Sequence, residues 1–444
     1  VRASSSLTAT NIGERWLEWI WPLRPAATAS PPRDATRWER AGRILLLALL
    51  LVGLPIALNR AVTRGVSDFR GFYEASRNVL DYGVRLENTT FAYYWPSLDV
   101  AFVAVAWLPM PIAGALWYLL GCASWIGLLR SANYYLLDDF DDRTRRVVTL
   151  LAGLLITPLA VDGLCLGAFH TFMVWWMVAG LGRISRGRCW SGGALLGLAV
   201  WIKLLPLVGV AYLVWKRRWK AAAIATSCAL ALDVTLSIAG YGLEMAWQEH
   251  VRWWQEQGAD TAQRQLSSNS PVSEDRLTNQ SLVVILRRTL TPMGVSQGGP
   301  RVHATLLHLS QGQLKAVYLS AVALLGLGIA TFCRRPAWRT PPSAWSTEIA
   351  LMSLATLWFS PVMWGYHPTA ATPALMLVLA RIIRRPILLA VTILVWVTAM
   401  CLLGWPLACT FGEMFWTTVL LGGMLVGTSG RSAWGKKSLS LHRG

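Results

Sequence analysis

Residues 44–58 read ILLLALLLVGLPIAL, and residues 67–83 follow as SDFRGFYEASRNVLDYG. The first stretch carries no charge. With its flanks, from 43 to 60, it can cross the ~30 Å hydrocarbon core of a bilayer. The second stretch has a different pattern. Phe69, Phe72, Tyr73, Ser76, Val79 and Leu80 share one face at helical spacing, and Arg70, Glu74, Arg77, Asn78 and Asp81 take the other. Gly83 supplies a C-terminal stop, and Ser67 or Asp68 a cap. The spacing predicts a helix over 68–81 that lies on the outer membrane surface just after the first crossing. A carboxylate at its start is favoured by the helix dipole. On these residues alone Asp68 is either a helix cap or a functional carboxylate.

The rest of the chain agrees with a membrane setting. It has 444 residues, is 54% hydrophobic and only 14% charged, with a mean hydropathy of +0.43. A soluble domain of that size would need a polar surface that this composition lacks. Many of the 25 tryptophans sit at the ends of apolar runs, where an amphipathic ring suits the membrane interface. The net charge of +18 does not indicate nucleic acid. Its basic residues come in short clusters between apolar runs: Arg33, Arg37, Arg40 and Arg43; Arg183, Arg186 and Arg188; Lys216, Arg217, Arg218 and Lys220; Arg334, Arg335 and Arg339; Arg381, Arg384 and Arg385; Lys436 and Lys437. Cytoplasmic loops have this pattern.

The expected fold is an all-α polytopic membrane protein of about ten transmembrane helices. They fall near 43–60, 111–130, 146–163, 166–182, 221–241, 314–333, 346–364, 369–384, 386–404 and 412–428. Residues 1–42 form a cytoplasmic N-terminal segment without an evident cleavable signal, 43–428 one integral membrane domain, and 429–444 a basic cytoplasmic tail. The segments 61–95 and 242–313 face outward, in a multi-pass protein of the inner (plasma) membrane. Two apolar runs do not read as simple crossings. WPSLDVAFVAVAWLPMP (95–111) is short and bracketed by prolines, which suits a re-entrant or interfacial segment. Residues 191–215 have basic clusters at both ends and a Lys-Leu-Leu-Pro break in the middle, which suits two half-helices.

Few residues carry chemistry. The seven cysteines are scattered, mostly in apolar runs, and show no metal-ligand spacing. Asp138-Asp139-Phe140-Asp141-Asp142 contains a D-x-D triplet, but arginines follow it at 143, 145 and 146. It reads as a self-neutralised cytoplasmic loop rather than a metal site. Lys203 lies inside an apolar stretch, where it either snorkels to the cytoplasmic face or meets an anion. Asp99 and Asp233 also lie in apolar segments; neither has a partner assignable from sequence. His170 reads as an interface residue at the outer end of a span.

Five elements occur in order along 60–380: Asp68, Phe69, Tyr73 and Ala75; Tyr94 to Pro96; Lys203, Leu204 and Pro206; Asn279, Gln280, Ser281 and Arg288; and Ser360, Pro361, Trp364 and His367. In this order and topology the chain resembles glycosyltransferase family 87, the polyprenol-phosphate-mannose-dependent mannosyltransferases of bacterial envelopes, within the GT-C class of membrane glycosyltransferases. The resemblance implies transfer of a hexose, mannose, from a polyprenyl-phosphate donor to an envelope glycolipid or glycan on the extracytoplasmic face. It implies an inverting mechanism with Asp68 as base. Lys203, Arg288 or His367 would hold the phosphate, Asn279 and Gln280 the sugar, and Tyr73 and Tyr94 would line the substrate site. The implied partners are the bilayer, the lipid-linked donor and the acceptor, without nucleic acid, metal or cofactor. The chain departs from the family pattern at Tyr94-Trp95-Pro96, at Gly167-Ala168-Phe169-His170 and at Gly365-Tyr366. Two other readings stand beside the enzyme: a transporter or flippase for a lipid-linked sugar, and an inactive assembly subunit.

Overall fold

The computed structural model describes residues 36–63, 67–83, 94–255, 278–292, 305–403 and 405–429. The described residues form helices. Their order begins with α1 (Arg37–Val62), α2 (Asp68–Tyr82), α3 (Pro96–Ala106), α4 (Met110–Leu136), α5 (Asp142–Leu166) and α6 (His170–Ser185). It continues with α7 (Cys189–Ile202), α8 (Leu207–Trp215), α9 (Trp219–Tyr241), α10 (Leu243–Trp253), α11 (Leu282–Leu290) and α12 (Gln311–Phe332). The C-terminal part holds α13 (Pro342–Trp358), a 3₁₀ turn at His367–Ala371, α14 (Thr372–Ile382), α15 (Pro386–Leu402), α16 (Pro406–Phe411) and α17 (Glu413–Ser429).

Among the described residues five helices are long and apolar enough to cross a membrane: α1, α4, α5, α9 and α12. These match five of the ten expected spans. The other five correspond to helices of 11 to 17 residues, below the ~20 that a full crossing takes. Hydropathy counts apolar residues without regard to what covers them. The run at 346–364 is apolar because α13 is buried in protein along nearly its whole length. The run at 369–384 opens as a 3₁₀ turn before α14 begins. The segment at 95–111 contains an eleven-residue helix whose first turn is buried, followed by a turn into α4.

Two ion pairs hold α1 against α5. Glu39 meets Arg146 at 3.2 Å near one end, and Arg60 meets Asp162 at 3.2 Å near the other. Glu39 also closes a capping box with Thr36. By contrast, α12 turns its apolar surface outward, and Leu314 is its one buried residue.

The carboxylates of 138–142 are used locally. Asp141 caps α5 by accepting from Thr144, and Asp138 pairs with Arg186 at 3.3 Å. Among the described residues no group of three His, Cys, Asp or Glu side chains could hold a metal ion. Some basic residues counted as loop charges are structural. Lys216 is fully buried, 2.8 Å from Glu348, whose other contact is the Tyr212 hydroxyl at 2.6 Å. Arg381 donates to the Leu425 carbonyl and to Thr347.

Candidate active site

The site forms where α2, the start of α3, the break between α7 and α8, and the loop before the 3₁₀ turn converge. Helix α2 forms over Asp68–Tyr82 as its periodicity predicts, and Gly83 ends it in the left-handed region at φ 68°. Its cap is Ser67, whose hydroxyl accepts from the Arg70 amide. The capping role is therefore filled without Asp68. The polar face makes i,i+4 pairs, Arg70 with Glu74 at 2.6 Å and Arg77 with Asp81 at 3.0 Å. The apolar face packs on protein, with Phe69, Phe72, Ala75 and Val79 buried. The Phe72 ring lies edge-on to Tyr94 and Phe169, at 4.9 Å and 4.7 Å between centroids, with Phe102 behind.

One glycine fixes the start of this helix. Gly167 ends α5 at φ +77°, and a Cβ there would collide with the Cβ of Phe69 and lie 3.0 Å from its Cα and backbone nitrogen. The carbonyl of Gly167 accepts from the Trp117 indole at 3.0 Å. The corner between α5 and α6 thus sets where Asp68 sits. Gly167→Ala is expected to cost roughly 1–3 kcal/mol in stability, from the left-handed backbone and the clash. It should also cut turnover further by shifting Asp68. Thermal unfolding in detergent, run beside an activity assay, checks this; an unchanged melting temperature would show that the corner relaxes.

Asp68 is half-buried, and the Tyr366 hydroxyl approaches its Oδ2 at 3.5 Å. Burial pushes its carboxyl up to about 6, partly offset by the Lys203 ammonium and by Tyr366. The dipole at the start of α2 does not outweigh that burial. Lys203 stands at the break that Pro206 imposes between α7 and α8, in extended backbone. Its Nζ lies 5.9 Å from the Tyr94 ring centroid and acts electrostatically on Asp68. The head group therefore points into this cluster, and snorkelling to the opposite face is excluded.

Asp233, unassignable from sequence, has partners. Ser97 donates to its Oδ1 at 2.5 Å, and His250 Nε2 lies 2.7 Å from its Oδ2. Ser97 accepts in turn from the Trp201 indole at 2.9 Å. This network ties α3, α7, α9 and α10 together. It holds Trp201, two residues before Lys203, against the segment that carries Tyr94.

The remaining expected residues separate into two groups. His367 is buried beside His170, the ring centroids 4.5 Å apart. Both belong with Asp68, Lys203, Tyr94 and Tyr366. Asn279, Gln280 and Arg288 are engaged elsewhere. Asn279 Oδ1 accepts from the amides of Met363 and Ser281, and the Gln280 amide donates to Met363 O at 2.7 Å. The Gln280 side chain bonds Glu413 and the Met414 amide, and Arg288 Nη1 donates to Cys409 O at 3.3 Å. Asn279 and the Gln280 backbone thus hold Met363 in the 360–366 loop that presents Tyr366, while the Gln280 side chain and Arg288 fasten to α16 and the start of α17. Tyr73 donates to the Leu108 carbonyl at 2.9 Å, at the turn between α3 and α4. Tyr366 and His170 are the members that sequence reasoning did not select. The one signal for each was its place in a stretch that departs from the family pattern.

An all-α membrane protein with a carboxylate, an ammonium and buried hydroxyl and imidazole groups at one cluster has the equipment of a membrane transferase. Residues 92–361 match the model of glycosyltransferase family 87, and the chain belongs to that family. It is a glycosyltransferase. The match takes in Tyr94 and Lys203; Asp68, Tyr366 and His367 lie outside the matched residues and stand on their geometry. Among curated proteins the chain is 25% identical over 349 residues to a polyprenol-phosphate-mannose-dependent alpha-(1-2)-phosphatidylinositol mannoside mannosyltransferase of Mycolicibacterium smegmatis. That similarity covers 74% of this chain and 68% of the relative. No solved structure matches the chain.

Proposed function

We propose that the protein transfers a hexose, mannose, from a polyprenyl-phosphate carrier to an envelope glycolipid or glycan, by a single inverting displacement at the extracytoplasmic face of the inner membrane. The observation that carries this reading is one cluster with Asp68 beside the Tyr366 hydroxyl and the Lys203 ammonium beside the Tyr94 ring, near enough to act electrostatically on Asp68. A sugar hydroxyl is a weak nucleophile and needs a base in reach. The Asp68 carboxylate takes the proton of the acceptor hydroxyl as its oxygen bonds to the anomeric carbon. The bond from that carbon to the phosphate oxygen breaks on the opposite side, and its electron pair leaves with the polyprenyl phosphate. Lys203 meets the charge that develops there. A carboxyl that titrates at about 6 suits a base at neutral pH: it is mostly ionised, yet holds a proton better than an ordinary aspartate.

The name of the mycobacterial relative supports the choice of mannose and of a polyprenyl carrier. The family match and the charge bias of the loops support a GT-C type of architecture with segments 61–95 and 242–313 on the outer side. The Asn279–Gln280 pair acts in this scheme by holding, through Met363, the loop that carries Tyr366 and His367, and Arg288 by fastening the same segment to the Cys409 carbonyl. The test is an assay of the purified protein with polyprenyl-phosphate-linked sugars and a panel of envelope glycolipid acceptors, read by mass spectrometry. A mass gain of one hexose on an acceptor, with inverted anomeric configuration, is expected. Movement of the intact lipid-linked sugar across a vesicle membrane without transfer would identify a flippase instead.

A further inference from the structure

His170 has no task in that chemistry, yet it is built into the site. It is the first residue of α6 and is 3% exposed. Its Nε2 lies 2.8 Å from the carbonyl oxygen of His367. A carbonyl oxygen only accepts, so the ring proton resides on Nε2, and Nδ1 is left as a bare lone pair. That atom is buried and has no hydrogen-bond partner among the described residues. The Tyr366 ring stands beside the imidazole, 6.2 Å between ring centroids and at 69°, and Tyr366 is the residue that reaches Asp68.

We propose that His170 Nδ1 accepts a hydrogen bond from a sugar hydroxyl at the Asp68–Lys203 site, making His170 a specificity-determining residue that reads the sugar and not its phosphate. This rests on the transferase reading above. A lone pair selects for a ligand that brings its own proton. The ester phosphate of a lipid-linked sugar has none to give at neutral pH, whereas every free hydroxyl of a hexose has one. Holding the His367 carbonyl requires only the Nε2 proton. A buried acceptor left unmet is disfavoured, so the second nitrogen points to a ligand. His367 does not support the same assignment, because its Nδ1 lies near both an amide donor, Trp364 N at 3.2 Å, and an acceptor, Val362 O at 3.1 Å.

The hydroxyl belongs to the donor sugar or to the acceptor sugar, and one experiment distinguishes them. Wild type, His170→Phe and His170→Asn are assayed with polyprenyl-phosphate-mannose and each of its monodeoxy analogues, then with a phosphatidylinositol mannoside acceptor and its monodeoxy analogues. Wild type should lose about 10- to 100-fold in kcat/KM for one analogue. His170→Phe should show a similar loss with the complete substrates and no further loss with that analogue. His170→Asn should recover part of the activity, since its Oδ1 accepts where Nδ1 did, and it serves also if the Phe variant unfolds. The panel that shows the effect names the source. An equal penalty for every analogue in wild type and His170→Phe overturns the proposal while leaving the transferase reading intact. Absence of transfer by wild type overturns both.

Discussion

Asp68→Asn is expected to lower turnover by about 10²–10⁴ while leaving expression and thermal stability near wild type. The substitution keeps the shape of the side chain and an oxygen that can accept from Tyr366, but it removes the group that takes the proton. A capping role cannot rescue the carboxylate, because the Ser67 hydroxyl already caps α2. The pH dependence gives a second readout. The acid limb of kcat/KM should have its midpoint near 6, the value to which burial pushes the carboxyl, rather than near 4. Stability follows the same titration with a definite sign. Between the ordinary value of 3.8 and about 6 the folded state binds the proton more tightly than the unfolded chain. The contribution of Asp68 to stability therefore falls as pH rises through that window and stays low above it. Asparagine removes that burden at neutral pH while depriving Lys203 of its counter-charge, and the two effects oppose each other. Near-wild-type turnover in the variant would show that Asp68 is not the base. The search would then move to Glu74 and Asp81, both already paired with arginines.

Lys203→Met should raise the donor KM on the order of 10²-fold, since it deletes the cation that a phosphate would meet in a half-buried setting. Methionine keeps an apolar stem of similar length and leaves the turn before Pro206 intact. A linked effect on Asp68 is expected. The ammonium holds the Asp68 carboxyl lower than burial alone would, so its removal should carry the acid limb of kcat/KM to higher pH. The two readouts separate the two roles of the lysine. A shifted limb with an unchanged donor KM would make Lys203 the counter-charge of Asp68 and nothing more. An unshifted limb would break the coupling between them.

Helix α2 was legible in the sequence because its information is local: a cap, a period and a glycine stop within seventeen residues. The break at Lys203 was legible for the same reason, since Pro206 interrupts a run of apolar residues. The short helices were not. An apolar run covered by protein has the same composition as one covered by lipid, so sequence alone did not separate α13 and α14 from the five long apolar helices. The site was legible only in part. The fold brings Asp68, Lys203, Tyr94 and His367 together, whereas Asn279 and Gln280 spend most of their amide groups on Met363, Glu413 and Met414. A sequence states that an amide is present and not whether it is already bonded. His170 and Tyr366 needed the fold, because the contact between them joins positions 196 residues apart, the difference between 366 and 170.

The pairing of α1 with α5 has a consequence for biogenesis. Arg146 lies 107 residues beyond Glu39, and Asp162 lies 102 beyond Arg60. At a synthesis rate of about 5–20 residues per second, α1 waits roughly 5–20 s for its partners. Throughout that interval α1 carries Glu39 near one end and Arg60 near the other without the partners that α5 supplies. The nascent chain must therefore rely on lipid headgroups or on the insertion machinery until α5 emerges. A chain that stalls within α4 would leave α1 exposed to membrane quality control, whereas one that stalls beyond α5 would already be latched at both ends.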